Sequence, residues 1–154
     1  MKLCKSFIFG FVNAIENKGF MYKTKGKTSF AIYRNMKILS KVIEDLEDAR
    51  INAIDKYGKR LEDGSIGIEE NDKEASQKFL EETERFFNDE VEVDVFQIEE
   101  DEFELPYCES ATPMEYAVIE AILVKNGDFK LAEKLAPKDG SLKGINGTYN
   151  FKEL

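Results

Sequence analysis

The sequence predicts an α+β fold: a long helical hairpin packed with a small antiparallel sheet and a buried third helix. Three observations predict it. Apolar residues recur at three- and four-residue steps from Ile32 to Tyr57. EVEVDV, residues 90–95, alternates valine with acid. TPMEYAVIEAIL, residues 112–123, opens on a capping signature and then turns almost wholly apolar. At 154 residues and 42% hydrophobic content, the chain is long enough for one core and too apolar for global disorder.

Ile32, Met36, Leu39, Ile43, Leu46, Ala53 and Tyr57 fall on one helix face. Gly58 is the natural stop, with Lys56 and Lys59 near the negative end of the dipole. A helix over 29–57 would be roughly 40 Å long at about 1.5 Å per residue, so it needs a partner. The partner is a second helix over 72–88, with Ala75, Phe79, Thr83 and Phe86 as its stripe and Asn71 as its cap. Between them Asp63-Gly64 marks a tight turn, and Ile66 and Ile68 suit a short strand.

In EVEVDV a period of two puts the valines inward and the acids outward. The alternation slips at Val95-Phe96, where the strand ends or bulges. The third helix has Thr112 as cap, Pro113 at its first position and Glu115 to close a capping box. Asn126-Gly127 ends it, and DFKLAEKLA forms a short helix stopped by Pro137. Asn146-Gly147 signals a hairpin in the tail. Residues 3–16 read as a strand followed by a short helix. The expected organisation is a single α+β domain over 1–125 and a C-terminal extension over 126–154.

Charge is unevenly spread. Residues 1–40 hold eight bases and one acid, residues 41–109 eight bases and 24 acids, and residues 110–154 six of each. A net charge of −9 disfavours nucleic acid as a partner. No run of about 18 apolar residues occurs, so no membrane span is expected. The apolar start is broken by Asn13, Glu16 and Asn17 and does not read as a signal peptide. Cys4 and Cys108 give neither a disulfide framework nor metal-ligand spacing, and they suit a reducing cytoplasm.

Catalytic chemistry has little to stand on. The chain has no histidine, which removes the usual general base and any Ser-His-Asp or Cys-His arrangement. KTKGKTS, residues 23–29, ends like a phosphate loop but has Met21 where the first glycine belongs. No catalytic, cofactor-binding or metal-ligating residue is expected, and no cofactor. The acids Glu92, Asp94, Glu99, Glu100, Asp101 and Glu102 form the candidate partner-binding face. They read first as solvated charge, because water and salt relieve their repulsion more cheaply than a bound cation.

FVNAIEN, then KTSFAIYRNMKIL leading into a long helix ending DKYGK, an Asp-Gly turn, EVEVDVFQI and TPMEYAVIEAIL stand in fixed order. This layout resembles a family of small bacteriophage proteins encoded in the late region of tailed phages of Gram-positive bacteria, between tail and lysis genes. Tyr33, Arg34, Asn35, Leu39, Tyr57, Gly58, Glu92, Val93, Asp94 and Ile98 stand where that family's recurring residues fall, and the likeness spans residues 7–124. It implies no activity and no cofactor. The expected function is that of a non-enzymatic phage accessory protein. It would act by protein–protein contact in virion or tail assembly, or on a host factor. The alternative is an acidic DNA mimic that inhibits a host nuclease or defence complex. The expected location is the cytoplasm of the infected host, or the virion. Leu39, Ile43, Leu46 and Ala53 could equally form a coiled-coil seam between two chains, so a homo-oligomer is open.

Overall fold

The computed structural model describes residues 1–135 and the backbone of Thr148–Tyr149. The fold is α+β and mainly helical, as the sequence predicts. It divides into two compact units: Met1–Val42 with Glu90–Asp139, and Ile43–Asp89 with Gly140–Leu154. The predicted stop at Pro137 and the Asn146-Gly147 turn lie outside the described residues.

The first unit opens with strand β1 (Lys2–Cys4), helix α1 (Lys5–Asn17), a helical turn α2 (Phe20–Lys23) and then helix α3 (Gly26–Tyr57), whose first part belongs here. Ile8, Phe11, Val12 and Ile15 bury one face of α1, and the helix runs through Gly10 unbroken. Later in the chain, β4 (Glu90–Glu92) pairs antiparallel with β1, Leu3 opposite Val91. The Val93 N–H donates to the Met1 carbonyl at 2.8 Å and extends the ladder by one bond. Val93 is buried while Glu90, Glu92 and Asp94 face water, so the period of two read in the sequence holds through residue 94.

Helix α5 (Pro113–Leu123) carries the predicted capping box: Thr112 accepts from the Glu115 N–H and Glu115 accepts from the Thr112 N–H. Its residues Ala117–Ile119 and Ala121–Leu123 are buried, and it packs on α1 and on α6 (Phe129–Leu135). Phe7 meets Phe129 edge to face at 5.8 Å, and Phe20 meets Tyr116 at 5.3 Å. Gly127 follows Asn126, which has φ 60°; a Cβ at Gly127 would strike the Ala121 carbonyl.

The second unit holds the rest of α3, a hairpin of β2 (Lys59–Arg60) and β3 (Ile66–Gly67), and α4 (Lys73–Asn88). Strand β3 also pairs with β5 (Thr148–Tyr149). Gly64 takes φ 85° in the hairpin turn, where the Asp63 carboxylate accepts from the Ser65 N–H at 3.0 Å. The core is small: Ala53, Ile54 and Phe79, flanked by half-buried Ile51, Tyr57, Ile66 and Ile68. A Cβ on Gly58 would lie 2.6 Å from the Ile54 carbonyl and 2.8 Å from that of Gly67, so close backbone approach demands glycine there. The cap of α4 is Asp72, one residue later than Asn71: its carboxylate accepts from the Ala75 N–H at 3.1 Å. Leu39, Leu46 and Ala53 are 0%, 7% and 1% exposed, so three of the four residues of the suggested interchain seam are covered within the chain itself.

A candidate binding cleft

Two polar residues sit on the buried face of α3, one heptad apart: Thr28 and Asn35, 1% and 0% exposed. Each fastens the extended segment that follows β4. The Asn35 Oδ1 accepts from the Phe96 N–H at 2.8 Å, and its Nδ2 donates to the Phe96 carbonyl at 2.7 Å and to Ala31 at 2.9 Å. The side chain thus does for Phe96 what a neighbouring strand would do, which is why the ladder can stop before Phe96. The Thr28 hydroxyl accepts from the Glu104 N–H at 3.0 Å and donates to the Glu102 carbonyl at 3.4 Å.

The same segment is tied to the end of α5. Ile98 donates to the Leu123 carbonyl at 2.8 Å and accepts from the Lys125 N–H at 3.0 Å. Gln97 donates to the carbonyls of Ile122 and Val124, both at 3.2 Å, satisfying the helix's C-terminal acceptors. A 3₁₀ turn, Glu100–Glu102, then swings the chain back toward Thr28, closed by a capping box between Glu99 and Glu102.

These ties leave a cleft of about 310 Å³. Phe30, Phe96, Gln97 and Ile98 line it. Lys27 and Lys125 stand on its rim, ion-paired to Glu102 and Glu99 respectively. Phe30 meets Phe96 edge to face at 5.4 Å, and the Arg34 guanidinium lies 6.0 Å from the Phe96 ring centre. Phe30 and Tyr33 are 51% and 58% exposed. The Lys27 hydrogen bond and the Glu99 N–H hold the Glu102 carboxyl below its ordinary value of 4.5. Bonds to Glu102 and Glu99 raise Lys27 and Lys125 above 10.5. All three shifts favour the charged forms and move the groups away from neutrality, opposite to what a general acid or base at pH 7 requires.

Of the six acids singled out in the sequence, Glu99 and Glu102 reach this rim. Glu100 and Asp101 are exposed on the turn, and Asp94 is exposed beyond β4. Glu92 accepts from the Met1 amino group at 2.6 Å. Among the described residues no three carboxylates or thiols converge as a cation shell would. Sequence reasoning did not assemble Lys27, Phe30, Phe96 and Lys125 into a site. The available signal was Thr28 and Asn35, two hydrogen-bonding side chains on an otherwise apolar stripe.

No family model, curated protein or solved structure matches the chain. Among the described residues, no helix is long and apolar enough to cross a membrane.

Proposed function

We propose that this chain is a non-enzymatic accessory protein that acts through protein–protein contact, with the cleft beside α3 as its docking site. The observation that carries the reading is the exposed Phe30 and Tyr33 beside Arg34 and Phe96, at the mouth of a cleft with charged rims. Exposed aromatics with arginine are the composition of binding hot spots. A cleft of about 310 Å³ is at the small end of ligand cavities, roughly 300–1,000 Å³. It suits an anchoring side chain better than a cofactor. The rim carries both signs, so the partner is a protein segment with an apolar anchor flanked by charges of both signs. A uniform polyanion reaching Lys27 would lay its charge against Glu99, Asp101 and Glu102. The same pairing weighs against a DNA mimic built on residues 99–102, because two of its four acids are matched by lysines. The likeness in layout to late phage proteins supports an infected bacterial cell as the setting, with a phage structural protein or a host protein as the partner.

The test is capture from phage-infected cells with the wild-type chain, with Phe30→Ala, and with Leu80→Ala as an exposed control on α4. The captured protein is then purified and titrated by calorimetry. The expected result is a partner retained by wild type and Leu80→Ala and weakened at least about tenfold by Phe30→Ala. A partner indifferent to Phe30 would move the site elsewhere.

A further inference from the structure

The extended segment after β4 uses its backbone on alternate residues. Phe96 donates to and accepts from the Asn35 side chain. Ile98 donates to the Leu123 carbonyl and accepts from the Lys125 N–H. In an extended chain the N–H and C=O of one residue point to one edge, and those of the next residue to the other. Phe96 and Ile98 thus satisfy one edge, and Val95 and Gln97 face the opposite one. Among the described residues, the backbone N–H and C=O of Val95 and of Gln97 make no hydrogen bond. The ladder to β1 has ended by then, at the bond from the Val93 N–H to the Met1 carbonyl. Gln97 also lines the cleft, together with Phe96 and Ile98.

What is unpaired decides what fits. Val95 and Gln97 each offer a donor and an acceptor, at a spacing of roughly 6.6 Å along a strand. Another extended backbone matches that repeat. A docked helix does not, because its own backbone groups are bonded internally. A polyanion supplies acceptors alone.

We infer that the partner enters the cleft as an extended segment that adds a strand along Val95–Gln97. The inference rests on the docking reading given above and names the form the partner takes there. Backbone bonds to Val95 and Gln97 hold the segment, and an apolar side chain from it packs beside Phe30 and Phe96. Its side chains two residues to either side fall on the same face and reach the rim. There Lys27–Glu102 and Lys125–Glu99 present both signs. A second copy of this chain is the poorer occupant, because two molecules of net charge −9 repel.

The probe is the peptide acetyl-TKVFVET-amide, whose phenylalanine shares a face with the lysine and the glutamate. It is titrated to about 1 mM into the isotope-labelled full chain, followed by amide shifts and hydrogen exchange. The Val95 and Gln97 amides are expected to shift and to exchange at least about fivefold more slowly. Those of Phe96 and Ile98, already bonded, should change little. Two further peptides carry one N-methyl group each, on the phenylalanine or on the valine after it. A strand presents alternate N–H groups to its neighbour, so one of them should lose at least about tenfold in affinity and the other bind like the parent. Val95→Pro removes an unpaired N–H and should weaken the parent peptide by about tenfold. The methylated peptides leave the chain untouched and decide the matter if that variant does not fold. Equal binding of the two methylated peptides overturns the inference. So does a bound peptide that leaves the Val95 and Gln97 amides unchanged; loss of a captured partner on Phe30→Ala would then still uphold the cleft. No binding at about 1 mM overturns it as well, because strand addition draws its affinity from the backbone and tolerates sequence. Slow exchange at Val95 and Gln97 without peptide, in a chain that sediments as a dimer, puts a second copy on the edge and overturns the choice of partner.

Discussion

The two ends of α3 bury different things. Up to Val42 the helix buries Thr28 and Asn35 among Ala31, Ile32 and Leu39, and both polar side chains bond to a segment more than sixty residues away in sequence. Beyond Ile43 it buries Leu46, Ala53 and Ile54, meeting α4 through Phe79 and through a Lys56–Glu82 ion pair at 3.6 Å. The first part organises an irregular chain and so produces a cleft. The second packs regular elements against each other. A buried polar residue on a helix whose side chain bonds beyond its own helix is thus a pointer to non-repetitive backbone, which has hydrogen-bonding groups left to satisfy.

The core around α1 and α5 is deep, with Phe11, Ile15, Ile119 and Ile122 all at 0% exposure. The core around Phe79 is thin, its neighbours Ile51, Tyr57, Ile66 and Ile68 only half-buried. Phe11→Ala is therefore expected to cost about 3–5 kcal/mol. Phe79→Ala should cost less, because half-exposed neighbours can close over the gap. Native-state hydrogen exchange separates the two, since amides of α5 should be better protected than those of α4. Equal loss of protection in α5 on Phe79→Ala would contradict the contrast.

Buried polar groups sharpen it. Asn35→Ala strips the Phe96 N–H and carbonyl of their partner and is expected to cost about 2–4 kcal/mol, with faster exchange at the Phe96 amide. Thr28→Val removes the bond that the Glu104 N–H donates and should cost about 1–2 kcal/mol. Thr83 is equally buried, but its hydroxyl only bonds back to the Phe79 and Leu80 carbonyls of its own helix. Those carbonyls lie in the α4 ladder, so Thr83→Val is expected to stay within about 0.5 kcal/mol. Denaturant melts of the two valine variants are the direct comparison.

What could be read from sequence follows the same line. Periodic elements were legible because their signals are local. The Thr112–Glu115 box, the Asp-Gly turn and the inward valines all stand where the pattern put them, and α3 and α4 shift by only one to three residues at their starts. The periodic stripe from Ile32 to Tyr57, on which Arg50 is the only charged residue, leaves out the buried Ala31, Asn35, Val42 and Ile54, and its Met36, Ile43 and Tyr57 are only half-buried. The cleft was not legible, because it depends on which backbone atoms Asn35 and Thr28 meet, and those lie far along the chain. The acids of residues 99–102 were visible as charge. That Glu99 would find Lys125 required the parallel bridge between Ile98 and Val124, and that Glu102 would find Lys27 required the bonds by which Thr28 holds Glu102 and Glu104.

The smallest expected effect concerns two depressed carboxyls of different origin. Glu102 is lowered by the Lys27 hydrogen bond and the Glu99 N–H; Asp63, in the β2–β3 turn, by the hydroxyl and N–H of Ser65. A depressed carboxyl stabilises the fold above its unfolded value, and that stability disappears as pH falls through the folded value. For Glu102 the loss therefore comes below about pH 4.5, and for Asp63 below about 3.8. Lys27, being raised, contributes below 10.5 and loses its contribution as pH rises through its folded value. The rim pair is intact across the neutral range, and binding at the cleft should be flat there. Carbon NMR titration of the side-chain carboxyls separates the causes. Lys27→Met or high salt should move Glu102 up toward 4.5 and leave Asp63 where it was, since neutral hydrogen bonds are not screened. If Glu102 ignores the loss of Lys27, its charge is held by the turn alone, and the rim proposed to favour a protein partner over a polyanion lacks its Lys27–Glu102 pair in solution.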